Sequence, residues 1–315
     1  MNVSICIPTY NRLDVLQQAV ASCLNQTRRP YEILIGDDSS LNDTEEWVKA
    51  NLPDTDVKIK YFHNSPSLRQ ARNVNSLFRS ATGDLTVLLH DDDALMPTAL
   101  ETLYNCFQQH PEIDIAFGKQ YIMSNEGVIN KEDSEELNKA FYRTATYEGL
   151  KLSPLEAGFL QQFPNDGYMI KSHIVKNIQY DEGTGDACDF DFGLQLGLGN
   201  YKMFFVNSYT NCYRISASSV GTKDDNNASI YAFNAVSSLN VPTESSKYKQ
   251  EWLVSKAPAA IVNAVRLKDY KRAMEIYFSS WHRHKILSFN GVKLLLAISF
   301  FSLKRGILKN KVAVG

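Results

Sequence analysis

Several things are scarce or missing in this 315-residue chain, and each removes a class of protein. Cysteine is scattered: Cys6, Cys23, Cys106, Cys188 and Cys212 are odd in number and show no Cys-x-x-Cys spacing. That excludes a disulfide scaffold or zinc framework and reads as free thiols in a reducing compartment. Net charge is almost absent, with 33 Lys+Arg against 35 Asp+Glu and a formal value of -2, so nothing global points to a nucleic-acid partner. No run of about 20 apolar residues exists, so no spanning helix is expected. The chain enters a strand pattern at Val3, so no signal peptide is expected. No Gly-x-Gly-x-x-Gly follows that strand and no Gly-x-x-x-x-Gly-Lys-Ser/Thr occurs, which argues against a dinucleotide fold or a P-loop. Repeats and low-complexity segments are missing too. The length suits one large domain, or one domain with an appendage.

What is present is alternation. Short apolar runs at 3–7, 32–35, 57–62, 85–89 and 113–117 read as buried strands. Between them, helical spacing of apolar residues spans 13–24, 44–50 (capped by Asn42 or Asp43), 68–81 and 97–109. This order predicts an α/β fold, a mostly parallel Rossmann-like sheet with helices on both faces. After about residue 118 the pattern loosens. A hairpin is expected at 120–129 around Asn125-Glu126-Gly127, a mobile polar loop at 134–141 and partly helical chain at 155–176. A loop at 180–186, a helix at 189–198 and a strand at 202–206 follow. Helices are expected near 227–240, 247–265, 267–280 and 290–309, so a boundary is placed near 220, giving domains 1–220 and 221–315.

Three of these strands end in polar clusters: Pro8-Thr9-Tyr10-Asn11-Arg12, Asp37-Asp38, and His90-Asp91-Asp92-Asp93. Parallel strands share a direction, so these ends converge on one crevice, where open α/β sheets bind ligands. Acids clustered there repel one another unless a cation compensates, and Mg²⁺ or Mn²⁺ with a substrate phosphate is the simplest compensator. The same acids also suit the start of the helix that follows Pro97. An aromatic to stack on a base, acids to accept from a base edge and a metal-binding cluster together suit a nucleotide diphosphate joined to a transferable group.

Val3-Ser-Ile-Cys-Ile-Pro-Thr-Tyr-Asn-Arg12, Ile33-Leu-Ile-Gly-Asp-Asp-Ser-Ser40, Ala71-Arg72-Asn73, Ala81-Thr82-Gly83-Asp84, then Leu89 to Asp93 and Pro97, in this order and spacing, resemble the family 2 glycosyltransferases. These are inverting enzymes of the GT-A fold. The likeness is dense over 3–118, weaker to about 215 and absent beyond. It implies a nucleotide-diphosphate sugar donor, UDP-sugar favoured, and a saccharide or lipid-linked saccharide acceptor. It implies a pocket of Pro8, Thr9, Tyr10, Arg12, Asp37, Asp38, Arg72, Asn73 and Asp91 for the nucleotide, and Asp92 for the metal, with His90 and Asp93 as further candidates. The family's base lies in an acidic motif opening a later helix; Asp189 fits that place best, with Asp186 and Asp191 as alternatives. Inversion needs such a carboxylate beside the acceptor hydroxyl.

Departures from the family pattern are His90 in place of an aspartate, Ser39 in place of a glycine, and Ser216 in place of a histidine near the diphosphate, where Arg214 is expected to take up part of the charge. The setting implied is cell-surface polysaccharide assembly (O-antigen, capsule or related) on the cytoplasmic side, at the inner face of the plasma membrane. The stretch 290–311 is apolar with a basic end, Lys304, Arg305, Lys309 and Lys311, and is expected to touch either a membrane surface or a protein partner such as a second subunit. His282 and His284 read as packing or surface residues. A nucleotidyltransferase and a non-catalytic nucleotide-sugar-binding scaffold are the rival readings.

Overall fold

The strand residues of the first half are apolar on both sides of the pleat, so both faces of their sheet must be covered. In the computed structural model, which describes residues 1–52, 55–215 and 226–312, they are. Strands β1 (Val3–Thr9), β2 (Glu32–Asp37), β3 (Lys58–His63) and β4 (Leu85–Leu88) run parallel in the order β3-β2-β1-β4. On one face Ile5, Ile7, Ile33, Ile35, Leu85 and Val87 pack with helices α1 (Leu13–Leu24), α2 (Asp43–Asn51) and, further along, α4 (Ala99–Gln109). On the other, Cys6, Leu34 and Leu88 pack under α3 (Arg69–Ser80). All five cysteines are free and buried.

Beyond β4 the sheet becomes mixed. Its further strands are β5 (Ala94–Leu95), β6 (Ile115–Met123), β7 (Ile129–Asn130), β8 (Met169–Lys171) and β9 (Met203–Arg214). The order continues β4-β8-β6-β9-β5; β8 is antiparallel to both neighbours, and β9 is parallel to β6. The expected hairpin is present as β6 and β7, pairing Ile122 with Asn130.

One expectation is corrected here. The polar stretch expected to be a mobile loop is helix α5 (Lys131–Ala140), capped by Asn130. Its anchors are polar: Ser134 Oγ and Asn138 Oδ1 accept from the backbone N–H of Ile122 and Gln120 at 2.8 and 3.0 Å, and Asn138 Nδ2 donates to Gln120 O at 2.8 Å. Those bonds satisfy strand groups that a buried edge must pair. The stretch expected to be partly helical does hold α6 (Pro154–Phe159) and α7 (Ser172–Asn177), but β8 runs between them. Helix α8 (Cys188–Leu198) completes this part.

The chain divides into two compact units: residues 1–182 with 188–216, and residues 183–187 with 217–315. The second consists mainly of helices α9 (Ala228–Ser238), α10 (Ser246–Arg266), α11 (Tyr270–Phe278) and α12 (Phe289–Val312). Phe233, Leu253, Ile261, Ile276 and Tyr277 form its core. His282 is a packing residue, buried with Nδ1 3.2 Å from Tyr277 O, while His284 is exposed. Among the described residues, no helix is long and apolar enough to cross a membrane.

Candidate functional site

The acidic turn forms where β4 stops. Leu89 N–H donates to Cys6 O at 3.0 Å, extending the parallel ladder by one residue, and Asp93 N–H bonds back to His90 O at 3.2 Å. Arg12, at the start of α1, lies across this turn. Its Nη2 is 2.6 Å from Asp91 Oδ1 and its Nη1 is 2.6 Å from Asp92 Oδ2. Thr9, at the end of β1, donates to Asp91 Oδ2 at 2.7 Å. Burial pushes the Asp91 carboxyl up to about 6, with Arg12 working against it. Burial also draws the Arg12 guanidinium down, but Asp91 and Asp92 outweigh it and hold it above its ordinary value.

A fourth acid joins the turn that sequence reasoning did not single out. Asp166 stands just before β8, and Gly167 N–H donates to Leu88 O at 2.8 Å, so antiparallel pairing delivers Asp166 to the end of β4. Its Oδ2 accepts from His90 N–H at 3.0 Å and its Oδ1 from Asn211 Nδ2 at 3.2 Å. The available signal was Asn165-Asp166-Gly167 ahead of the apolar Tyr168-Met169-Ile170, a turn followed by a run just long enough for a short strand. Burial raises the carboxyl pKa of both Asp93 and Asp166, and the Asp166 charge raises Asp93 further.

The residues present fit a divalent cation. One ligand atom from each of His90, Asp92 and Asp93 lies within 4.8 Å of the other two. His90 Nε2 is buried without a hydrogen-bond partner, an orphan that a cation would satisfy. Burial lowers the His90 pKa, but Asp166, Asp189, Asp92 and Asp91 raise it more. One imidazole with carboxylates suits Mn²⁺ better than a set of oxygens alone would.

Asp189 sits in the first turn of α8. Gln70 Nε2 donates to its Oδ2 at 3.3 Å, while its Oδ1 is buried with no hydrogen-bond partner. Burial raises its carboxyl pKa, opposed first by His90. Of the two alternatives, Asp191 is buried and accepts from Gln195 Nε2 at 3.3 Å. Asp186 belongs to the second unit and exchanges bonds with Asn227, each at 3.0 Å.

The nucleotide-pocket residues are not equally available. Tyr10 is 56% exposed at the end of β1, beside the partly buried Pro8, and Arg72 is exposed and paired with Glu182. Asp38 accepts from Asn64 Nδ2 at 2.9 Å, Ser67 Oγ at 3.1 Å and Leu68 N–H at 3.1 Å. Three of these residues are engaged inside the fold. Asp37 is fully buried, accepting from Ser39 N–H at 2.8 Å and Tyr61 OH at 2.7 Å, so it shapes the turn. Asn73 is buried and donates to Gly36 O at 2.7 Å, fastening α3 to the end of β2. Arg214, expected at the diphosphate, is buried with all three side-chain nitrogens engaged. Nε donates to Asp92 O at 2.7 Å, Nη1 to Ser124 O and Asn125 O at 3.1 and 2.7 Å, and Nη2 to Gln18 Oε1 at 2.8 Å. Together with Arg214 N–H on Asp93 Oδ1 at 2.7 Å, this makes Arg214 a strut beneath the acidic turn. Ser39, the departure from glycine, accepts from Asn11 N–H at 2.8 Å and so ties two strand ends together. Ser216 lies outside the described residues.

Residues 4–163 match the family model Glycosyl transferase family 2, and residues 86–253 match Glycosyl transferase family group 2. The chain is 28% identical over 222 residues to the GalNAc(5)-diNAcBac-PP-undecaprenol beta-1,3-glucosyltransferase of Campylobacter jejuni, covering 68% of this chain and 64% of that protein. In fold it is similar to S. aureus TarS in complex with UDP-GlcNAc, with a TM-score of 0.56 and 15% identity over 90% of each chain. It is also similar to a mannosyltransferase of Pyrobaculum calidifontis in complex with GDP-Man and Mn²⁺, with a TM-score of 0.60 and 14% identity over 96% of this chain and 87% of that one.

Proposed function

The chain belongs to glycosyl transferase family 2 and is a glycosyltransferase, and from that premise we propose that it is an inverting enzyme using a nucleotide-diphosphate sugar, UDP-sugar favoured. Its acceptor is a hydroxyl of a saccharide or lipid-linked saccharide, in cell-surface polysaccharide assembly at the cytoplasmic face of the membrane. The lipid-linked acceptor in the printed name of the Campylobacter relative and the UDP-GlcNAc on TarS support this choice. The observation that carries the reading is the turn itself, where one ligand atom from each of His90, Asp92 and Asp93 lies within 4.8 Å of the other two and His90 Nε2 is buried without a hydrogen-bond partner.

Tyr10 stacks on the base and Asp38 accepts from its edge, with Asp37 and Asn73 holding that turn in place. Asp91, fixed by Thr9 and Arg12, takes the ribose. Asp92, with His90 and Asp93, would hold a divalent cation, which when bound would neutralise charge on a departing diphosphate. Asp189 removes the proton of the acceptor hydroxyl as that oxygen bonds to C1 of the sugar from the face opposite the diphosphate. The C1–phosphate oxygen bond breaks and the nucleoside diphosphate leaves with the electron pair. A raised carboxyl pKa makes Asp189 a stronger base than an exposed aspartate.

The test is thermal stability against nucleoside diphosphates and their sugars, with Mn²⁺, Mg²⁺ or chelator. A ligand at about 100 times its Kd adds about 2.7 kcal/mol. Stabilisation by a uridine nucleotide that chelator removes supports the reading. No stabilisation by any nucleotide in the presence of metal overturns it.

A further inference from the structure

Helix α12 is apolar on two opposite faces, and the second unit covers one of them. Ile298 and Gly291 face inward, and Tyr277 OH donates to Gly291 O at 3.1 Å. On the other face Phe289, Val292, Leu296 and Phe300 follow at spacings of three and four, the repeat that places side chains in one stripe. All four are exposed, Phe289 at 83%, and Leu287 just before them is 94% exposed. The stripe is about 17 Å long at 1.5 Å per residue.

Charge decides what fits this stripe. Glu275 is the last acid of the chain, and residues 276–315 hold seven Lys and Arg and no Asp or Glu. Of these, Arg283 and Lys293 are exposed and Lys285 partly so. A second copy meeting this face with its own would bring like charge against like charge. An anionic bilayer meets it with opposite charge, and the outward apolar side chains enter the acyl boundary while the basic ones stay among headgroups. We propose that the stripe of Leu287, Phe289, Val292, Leu296 and Phe300, flanked by Arg283, Lys285 and Lys293, docks the protein on the surface of an anionic lipid bilayer. The helix lies in the interfacial plane. The lipid-linked acceptor proposed above gives this contact a purpose, and that purpose alone rests on the functional reading.

The test is co-sedimentation of the full chain with vesicles of phosphatidylcholine containing phosphatidylglycerol, free of any donor or acceptor, so that the result stands apart from turnover. Binding is expected to weaken on phosphatidylcholine alone and at high salt. Phe289→Ser combined with Leu296→Ser, both at exposed positions, should lower the partition coefficient by about tenfold or more. Arg283→Gln with Lys285→Gln and Lys293→Gln should abolish the preference for the anionic lipid. Thermal unfolding of each variant beside the parent verifies that the fold is kept. Failure of the parent protein to sediment with the anionic vesicles overturns the proposal, as does unchanged binding by the two-serine variant. Self-association by light scattering that the two-serine variant loses, without lipid binding, would assign the stripe to a second copy and also overturn it.

Discussion

Replacing Glu32 by Gln tests how the strand ends are brought into line. Glu32 is fully buried at the start of β2. Its carboxylate accepts from Ser4 Oγ on β1 at 2.8 Å and from Thr82 N–H and Oγ1, ahead of β4, at 2.7 and 2.8 Å, and pairs with Lys60 Nζ on β3 at 2.7 Å. One side chain therefore ties the amino ends of all four parallel strands, and so sets where their carboxyl ends converge. Burial alone would raise its pKa; Lys60 and the Thr82 and Ser4 donors outweigh burial and hold the carboxyl at about 2 against an ordinary 4.5. At about 1.4 kcal/mol per pH unit, that difference is worth about 3 kcal/mol. The folded-state pKa is the lower one, so the unfolded chain binds more protons between the two values. The stabilisation is complete above about pH 5 and is lost as pH falls through 4.5 toward 2. Urea unfolding should show Glu32→Gln less stable than the parent by about 3 kcal/mol at pH 7, with the gap shrinking steadily below pH 4.5. A gap of the same size at pH 7 and pH 3, or none at pH 7, would refute the reasoning.

Arg214→Leu removes the donors to three partly buried backbone carbonyls and leaves Gln18 Oε1 without its partner. It should cost about 3 kcal/mol or more in urea unfolding and weaken nucleotide binding by calorimetry through a loosened acidic turn. Gly36→Ala builds a Cβ 2.1 Å from Asn73 Oδ1, so denaturation should show a loss of about 1–3 kcal/mol; Asn73→Ala in the same chain should recover part of it.

The parallel half was legible in the sequence because its strands are continuous apolar runs whose two faces are both covered, and because polar residues stand where the runs stop. That is how Thr9, Arg12 and Asp91 to Asp93 could be placed together before any coordinates. The second half hid its order for a physical reason. Helix α5 docks through Ser134 and Asn138, whose spacing carries no apolar stripe, and polar chain without such a stripe reads as loop. Strand β8 has three residues, too short for a period to show, and with it Asp166 was missed. Whether a polar residue faces a ligand or the protein is not written in its type either. Asp37, Asn73 and Arg214 have the chemistry of nucleotide contacts, yet their hydrogen bonds are spent inside the fold.

The central claim, that Asp189 is the base of an inverting displacement, is tested most directly by following the sugar anomer by NMR during transfer from the donor that stabilises the protein. The parent and Asp189→Asn should be run side by side, with donor affinity measured on both. A product of inverted configuration is expected, with turnover lower by about 10²–10⁴-fold in Asp189→Asn and donor affinity within about twofold of the parent. A product of retained configuration, or near-normal turnover by Asp189→Asn, would contradict it.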